Sequence, residues 1–248
     1  MNLQKFCCAL LAFTAVVAIG SASAATCSNA TLKGVAGSLD AGFNGGLPET
    51  TLTQATFDGK GNLSGAVTDS TNGTITTGTF TGTYSVSKNC TGSLTVKFQN
   101  GSTASENFVL DDSKKGAQMI RTDSGLVKPG FVLDQGTVTC GLTGKAATFA
   151  ANLTGTINGV GPAAAVGQAI LDGKGNISGT GTFSLDGSIL TGSISGTYTE
   201  NANCTGTAQM TPEGFSTLNF DFVVVNGGKE LLMIETDAGT IVSGTMQQ

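Results

Sequence analysis

The chain has 248 residues and a formal net charge of −5, with a pI near 4.6 and a single arginine, Arg121. Such an acidic chain is a poor partner for nucleic acid or for an anionic membrane surface. It contains no histidine, which excludes a Ser-His-Asp triad and any metal site built from imidazoles.

The first 24 residues have the features of a signal peptide. Lys5 supplies a positive charge, an apolar run covers 6–20, and Ala22-Ser23-Ala24 is a small-residue cleavage site. The run is shorter than the roughly 20 residues that a membrane-spanning helix needs. We expect removal of 1–24 and export to a periplasmic or extracellular space, without stable membrane insertion after cleavage. A retained membrane anchor is the alternative.

The rest of the chain is a tandem repeat. Three motifs recur with an offset of 114 residues (171 − 57). They are FDGKGNLSG at 57–65 with LDGKGNISG at 171–179, GTY at 82–84 and 196–198, and NCTG at 89–92 and 203–206. The repeat predicts two domains, at 25–135 and 136–248, and each is large enough to bury a modest core.

Apolar and polar residues alternate with period two through both repeats, between turns rich in Gly, Asn and Asp. The predicted strands of the first repeat lie near 30–37, 51–57, 62–68, 76–86, 91–98, 103–110, 116–122 and 126–133. Those of the second repeat lie near 144–151, 165–171, 176–184, 189–199, 205–211, 216–225, 229–236 and 240–246. Short strands joined by short turns fit a closed meander. The predicted fold is all-β, with two tandem antiparallel β-barrels of about eight strands each.

Glycine and aromatic residues alternate on one face of the fourth predicted strand, at Gly78, Phe80, Gly82 and Tyr84. A related pattern occupies 192–198. Glycines at alternate positions let a strand coil tightly while an aromatic ring covers its neighbour, which favours closure into a barrel.

Counting the strands assigns each turn to one of two barrel rims. The turns near Asn72, Asn100 and Asp123 share one rim with the longest predicted loop, Leu39 to Thr50. Binding usually takes place on loops at one end of a rigid scaffold, so this rim is the predicted binding end.

Four cysteines remain after removal of the signal peptide: Cys27, Cys90, Cys140 and Cys204. Four cysteines allow three pairings. Separations of 63 (90 − 27) and 64 (204 − 140) within the two repeats favour Cys27–Cys90 and Cys140–Cys204. In an exported protein we expect both pairs to be disulfides.

The Asp-Gly-Lys-Gly-Asn stretches that begin at Asp58 and Asp172 have the outline of a calcium loop. Lys60 and Lys174, however, occupy the place of the second oxygen ligand. A hairpin turn explains the pattern better, because Asp and Asn tolerate left-handed dihedrals and Gly supplies positive φ. No metal ligand is predicted.

Four residues are candidates for ligand binding. Asp123 and Asp237 occupy equivalent Thr-Asp-x-Gly segments, where the alternative is a β-turn whose Asp bonds its own backbone. Tyr84 and Tyr198 are the only tyrosines. They either offer a hydroxyl to a ligand or pack in the core with a bonded hydroxyl, and core packing is the favoured interpretation.

The spaced signature FDGKGNLSG, GTYxV and NCTG, with the ending ETDAGTIVSG at 235–244, resembles that of uncharacterised exported bacterial β-proteins. That family carries no assigned activity. At the level of fold, the predicted module is similar to lipocalin-like and allene-oxide-cyclase-like barrels. The resemblance implies an exported β-protein and assigns no role to any residue.

The favoured hypothesis is an exported non-enzymatic protein that binds a small apolar ligand within or at the mouth of each barrel. An inert structural or surface protein and a barrel isomerase or cyclase are the alternatives. No catalytic residue, cofactor, metal or nucleic-acid partner is predicted. A barrel with less than about 100 Å³ of internal void would not hold a ligand in its lumen, since ligand pockets usually exceed roughly 300 Å³.

Overall fold

The computed structural model describes residues 26–113, 115–136 and 140–248. The predicted signal peptide at 1–24 lies outside the described residues. The described chain is almost entirely β-strand and forms two closed antiparallel barrels of eight strands each. The predicted fold class is confirmed.

Barrel 1 follows the chain as a meander and closes by pairing its first strand with its last. Its strands are β1 (Lys33–Asn44), β2 (Leu47–Asp58), β3 (Asn62–Thr71), β4 (Thr74–Val86), β5 (Thr91–Phe98), β6 (Thr103–Leu110), β7 (Gly116–Arg121), β8 (Leu126–Val127) and β9 (Pro129–Asp134). The short β8 and β9 together form the eighth strand, and both pair with β1. The residue that separates them is Lys128.

Barrel 2 repeats this order with an unbroken last strand. Its strands are β10 (Ala147–Ile157), β11 (Gly161–Leu171), β12 (Asn176–Leu185), β13 (Ser188–Glu200), β14 (Thr205–Pro212), β15 (Leu218–Val225), β16 (Glu230–Glu235) and β17 (Thr240–Gln247). Pairing of β10 with β17 closes the barrel. Two 3₁₀ turns, Asn29–Thr31 and Asn226–Gly228, complete the regular structure of the described residues. No helix in this part of the chain is long and apolar enough to cross a membrane.

The expectation of a long loop from Leu39 to Thr50 is wrong. β1 and β2 extend through that segment and meet at a two-residue turn, Gly45-Gly46, in which both residues have positive φ. Glycine adopts these dihedrals without steric cost, so the hairpin is tight. The sequence of this segment does not show apolar alternation, because its inward positions include Asp40 and Glu49, and it was therefore expected to be a loop.

Inward-facing side chains form an apolar core in each barrel. We call the end of each barrel that carries its Asp-Gly-Lys-Gly-Asn turn the lower end and the opposite end the upper end; in barrel 1 the apolar core lies towards the lower end. In barrel 1 the ring of Phe57 meets Tyr84 edge-on, with centroids 5.2 Å apart. In barrel 2, Phe149, Phe220 and Phe222 are almost completely buried among aliphatic side chains. These contacts supply the apolar burial that stabilises each barrel.

Both predicted disulfides are confirmed. Cys27 is bonded to Cys90 with Cα atoms 5.0 Å apart, and Cys140 to Cys204 with Cα atoms 4.9 Å apart. Each closes the lower end of its own barrel by tying the segment before the first strand to the turn before the fifth. Two such bonds are typical of an oxidising, non-cytoplasmic environment.

The two barrels pack side by side through the outer faces of β1 and β2 and of β15 and β16. Six buried aliphatic residues form this contact: Leu39, Leu52, Val223, Val225, Leu232 and Ile234. A Cβ atom at Gly37 would lie 2.7 Å from Cγ1 of Val225, so the close approach requires glycine at this position. Val223 and Val225 of β15 and Leu232 and Ile234 of β16 point outward and are apolar because they cover the neighbouring barrel.

Candidate functional site

The upper lumen of barrel 1 contains a concentration of charge with no counterpart in its lower half. Six inward-facing charged side chains form what we call the charged cluster: Asp40, Glu49, Asp69, Glu106, Arg121 and Lys128. They come from β1, β2, β3, β6 and β7 and from the break between β8 and β9. Closure of the barrel is what brings them together.

Lys128 is the centre of the charged cluster and is 0% exposed. Its Nζ lies 2.5 Å from Oε1 of Glu49, 3.5 Å from Oδ2 of Asp40 and 3.8 Å from Oδ1 of Asp69. The ammonium also donates a hydrogen bond to the hydroxyl of Thr51. Burial raises the pKa of Glu49, but the charge and hydrogen bond of Lys128, the hydrogen bond from Asn44 and the charge of Arg121 together bring that pKa below its ordinary value.

Neutral side chains hold the carboxylates of the charged cluster in place. Nδ2 of Asn44 donates to Oε2 of Glu49 over 2.7 Å. The hydroxyls of Thr51 and Thr71 donate to the two carboxylate oxygens of Asp69, over 2.6 and 2.7 Å. The alternating threonines of β2 and β3 therefore act as hydrogen-bond donors to buried charge, which a carboxylate needs once water is removed.

Asp40 is the least satisfied member of the charged cluster. Its side chain is 4% exposed, and Oδ1 has no hydrogen-bond partner among the described residues. Burial raises the pKa of Asp40 to about 6, although Lys128 and Arg121 both act to lower it. A buried carboxylate oxygen without a donor costs free energy, so this position is poised to accept a proton or a ligand.

Glu106 lies opposite Arg121 in the ladder between β6 and β7. Burial raises the pKa of Glu106 to about 7, and repulsion from Asp40 adds to this effect. Arg121 and Lys128 oppose the rise without cancelling it. Asp40 and Glu106 are thus two carboxyl groups that titrate near neutral pH beside one another, and such groups mark candidate functional sites.

Two neighbouring spaces adjoin the charged cluster. The first is an inner chamber of about 50 Å³, bordered by Asp40, Glu106 and Arg121 and by apolar side chains below. The second is an open recess of about 730 Å³ at the upper end of barrel 1, which we call the mouth recess. Thr51, Phe98 and Arg121 line both spaces, so the mouth recess adjoins the inner chamber.

Volume alone does not distinguish the mouth recess from grooves on the outer walls of barrel 1. One groove beside Asp58 and Lys97 measures about 540 Å³, and another beside Ser93 and Gln118 measures about 600 Å³. These grooves are lined largely by outward-facing hydroxyl and amide side chains. The mouth recess differs because Glu49, Asp69 and Arg121 of the charged cluster line it.

Tyr84 and Tyr198, which the sequence suggested as candidates for ligand binding, lie at the lower ends of their barrels, away from the mouth recess. The hydroxyl of Tyr84 donates to the backbone oxygens of Leu32, at 2.6 Å, and Asn29, at 3.1 Å. The hydroxyl of Tyr198 donates to the backbone oxygen of Leu142 over 2.8 Å. In both barrels the tyrosine therefore ties the segment before the first strand to the core.

Asp123 and Asp237 lie at the upper rims and form the same contact in both barrels. Oδ2 of Asp123 accepts a hydrogen bond from the backbone N–H of Ser105 over 2.9 Å, and Oδ2 of Asp237 accepts one from the N–H of Asn219 over 2.7 Å. Asp123 also pairs with the guanidinium of Arg121 at 3.0 Å. Each Asp thus bonds the beginning of a neighbouring strand, β6 or β15, and Asp123 in addition borders the mouth recess.

The charged cluster was not predicted from the sequence. A comparison of the two repeats at inward positions could have revealed it. Where barrel 1 has Asp69, Glu106 and Lys128, the offset of 114 places Phe183, Phe220 and Val242. A charged residue that alternates with apolar ones on an inward face, and that is apolar in the other copy, marks a local departure from core packing. The predicted binding residues were instead chosen because both copies share them.

No known protein family matches this chain, and no curated protein sequence matches it. The chemistry of the site therefore has to be read from its own residues. Among the described residues, no three carboxylate or thiolate groups are arranged to hold a metal ion. What the charged cluster offers is carboxylate oxygens that can accept hydrogen bonds or protons at the floor of an open recess.

Proposed function

We propose that the protein is an exported, non-enzymatic binding protein that holds a small molecule in the mouth recess of barrel 1. The observation that carries this proposal is the recess of about 730 Å³ above the buried carboxylate of Asp40, whose Oδ1 has no hydrogen-bond partner in the described part of the chain. Ligand sites in proteins are concave, measure roughly 300–1,000 Å³ and contain a few convergent polar groups.

The geometry favours the mouth of the barrel over its lumen. The inner chamber of about 50 Å³ is below the roughly 100 Å³ set as the limit for a ligand in the lumen. In barrel 2 the corresponding space is filled by the core around Phe220 and Met233. The lining of the mouth recess is rich in threonine, asparagine and carboxylate side chains, so we propose a polar ligand in place of the apolar one expected from the glycine-lined faces.

One observation favours a second function, a barrel isomerase or cyclase. Carboxyl groups whose pKa values lie at about 6 and about 7, as for Asp40 and Glu106, are suited to general acid–base catalysis near neutral pH. An enzyme would release a changed molecule, whereas a binding protein would return its ligand unchanged. Chromatographic retention and NMR spectra of a recovered ligand, recorded before and after incubation with fresh protein, separate the two functions, because an isomer has the same mass as its precursor.

The proposal is tested by native mass spectrometry of the protein purified from its source organism. We expect a bound small molecule in a one-to-one ratio. The matched variant is Gly78→Trp, because Gly78 lines the mouth recess and a Cβ there meets no atom within 4 Å. The indole should occupy part of the recess, and the bound mass should disappear, while Gly78→Ala should retain it. Equal occupancy in the parent and Gly78→Trp proteins would contradict the proposal, and so would repeated absence of any bound molecule, which favours a structural role.

A further inference from the structure

We infer that the ligand of the mouth recess carries a primary ammonium group, which enters the inner chamber and donates hydrogen bonds to Asp40 and Glu106. This inference rests on the proposed function and specifies its ligand class. The rest of the ligand would occupy the mouth recess. Three independent features of the chamber support it: its unsatisfied acceptor, its charge and its size.

The unsatisfied acceptor is Oδ1 of Asp40, which has no hydrogen-bond partner among the described residues although its side chain is 4% exposed and borders the inner chamber. The carboxyl of Glu106 borders the same chamber. An ammonium group has three N–H donors and no acceptor, so it complements two convergent carboxylates. Charge-assisted bonds of this kind are stronger than those between neutral groups.

The charge around the chamber is negative. Five carboxyl groups border the two spaces or contact Lys128: Asp40, Glu49, Asp69, Glu106 and Asp123. The two basic groups are Arg121 and Lys128, so full ionisation gives a net charge of −3 (2 − 5). Arg121 already pairs with Asp123 at 3.0 Å, and Lys128 with Glu49 at 2.5 Å. An added cation would thus offset carboxylate charge that the protein leaves uncompensated.

The size of the inner chamber, about 50 Å³, selects among cations. A cavity needs about 10–15 Å³ of such space to hold one water molecule, so the chamber accommodates an ammonium head with adjacent methylene groups. A metal ion is a poorer fit, since no three carboxylate or thiolate groups in the described chain are arranged to hold one. An anion would face the net negative charge.

Affinity should then depend on pH. The groups that face Asp40 are Lys128, Arg121, Asp69 and Glu49, and those that face Glu106 are Asp40, Arg121, Lys128 and Asp123. The pKa values of Asp40 and Glu106, about 6 and about 7, place both carboxyls largely ionised at pH 8 and largely protonated at pH 5. A cation binds the ionised form, so its affinity should fall as the pH decreases.

The experiment is isothermal titration calorimetry of the full-length protein with n-butylamine, and with n-butanol as the neutral analogue, at pH 8 and pH 5. We expect n-butylamine to bind at pH 8 at least about tenfold more tightly than at pH 5, and n-butanol not to bind. Asp40→Asn and Glu106→Gln should each weaken the binding of n-butylamine by at least about tenfold, as expected for loss of a charge-assisted bond. The two variants are independent, so failure of one to fold leaves the other as the test.

The matched control is Glu235→Gln, which neutralises a buried carboxyl in barrel 2, away from the mouth recess. It should leave the binding of n-butylamine unchanged. Equal binding of n-butanol and n-butylamine, or unchanged binding in Asp40→Asn and Glu106→Gln, would overturn the inference. If a co-purified ligand that Gly78→Trp displaces lacks an amino group, the ammonium inference is wrong and the mouth recess remains a binding site. If no molecule co-purifies and no probe binds, both proposals fail.

Discussion

Barrels 1 and 2 are alike at their lower ends and different at their upper ends. At the lower end both have a disulfide, a tyrosine whose hydroxyl bonds the entering segment, and an Asp-Gly-Lys-Gly-Asn turn. At the upper end the charged residues of barrel 1 are replaced at all but one position by apolar ones. The pairs are Asp40 and Leu153, Glu49 and Ala163, Asp69 and Phe183, Glu106 and Phe220, Arg121 and Glu235, and Lys128 and Val242.

The pairing of Asp40 with Leu153 follows from the sheet register. Asp40 lies opposite Gly130 and Leu153 lies opposite Gly244, and these glycines are 114 residues apart. The hairpin after β10 is one residue longer than the hairpin after β1, so residues before it are offset by 113 (153 − 40). The lower ends therefore show what the fold requires, and the upper ends show what it leaves free to vary.

Removal of Lys128 should produce the largest effect. Lys128→Val installs the residue of barrel 2 and leaves the buried carboxylates of Asp40 and Glu49 without their counter-charge. Breaking a buried ion pair in this way should lower the free energy of unfolding by about 4 kcal/mol. Urea denaturation at pH 7 measures the loss.

Two variants make that measurement specific to burial. Lys97→Val removes a lysine from the outer face of β5, where the side chain is exposed, and should change stability by less than about 1 kcal/mol. Lys128→Val combined with Asp40→Leu and Glu49→Ala copies three residues of barrel 2 and should regain most of the loss. An unfolding midpoint of Lys128→Val equal to that of the parent would show that the buried cluster does not depend on its lysine.

Loss of a disulfide should have the next largest effect, and the same effect in both barrels. Each bond closes a loop of similar length, with separations of 63 and 64 residues. Replacing both cysteines of one pair by serine should cost about 3 kcal/mol in either barrel. Comparison of Cys27→Ser/Cys90→Ser with Cys140→Ser/Cys204→Ser by thermal denaturation checks the equality. A difference between the two variants of more than about 2 kcal/mol would mean that the lower ends are not energetically equivalent.

Much of the fold could be predicted from the sequence because its signals are local or repeated. Period-two alternation identified most strands, and the repeat selected the disulfide pairing. The β1–β2 hairpin was missed because Asp40 and Glu49 interrupt the apolar pattern at inward positions. A charged residue at an inward position indicates a loop when only the sequence is known. The structure shows that Lys128 lies beside these carboxylates and compensates their charge.

The candidate site could not be predicted for the same reason. Its members are distant in sequence, and they meet only because the barrel closes. Nothing near Glu106 in the sequence indicates that Asp40 will raise its pKa, since the two residues lie on different strands. Asp123, which sequence reasoning selected, does border the mouth recess, but its carboxylate already bonds Arg121 and Ser105.

A smaller effect on stability is expected at Glu235, in barrel 2. It is 3% exposed, Oε1 has no hydrogen-bond partner among the described residues, and burial, with some repulsion from Asp237, raises its pKa to about 7. Folding raises the pKa of this carboxyl from 4.5 to about 7. The contribution of Glu235 to the free energy of unfolding therefore falls as the pH rises through this range. At 1.36 kcal/mol per pKa unit, the shift limits the loss of stability at high pH to about 3 kcal/mol, and we expect a loss of about 2 kcal/mol.

Glu235→Gln removes this penalty. The variant should be more stable than the parent at pH 8 by about 2 kcal/mol and nearly equal to it at pH 4. Chemical denaturation at both pH values measures the difference. Glu200→Gln, at a partly exposed position of the same barrel, is the control and should not be more stable than the parent. A Glu235→Gln variant that is less stable than the parent at pH 8 would mean that the carboxylate has a favourable partner.

The smallest effect concerns a feature that both barrels share, the carboxylates of Asp58 and Asp172. Hydrogen bonds from the side chain and backbone of Asn62, and from those of Asn176, lower the pKa of each carboxyl to about 2. A lowered pKa means that the turn is stabilised above the unfolded value of 3.8, and that this contribution is lost as the pH falls towards 2. NMR titration of the two carboxyls should give the same low pKa in both barrels, and Asn62→Ala should raise that of Asp58 while leaving that of Asp172 unchanged. An ordinary pKa at either position would show that the shared sequence of the two turns does not produce a shared hydrogen-bond network.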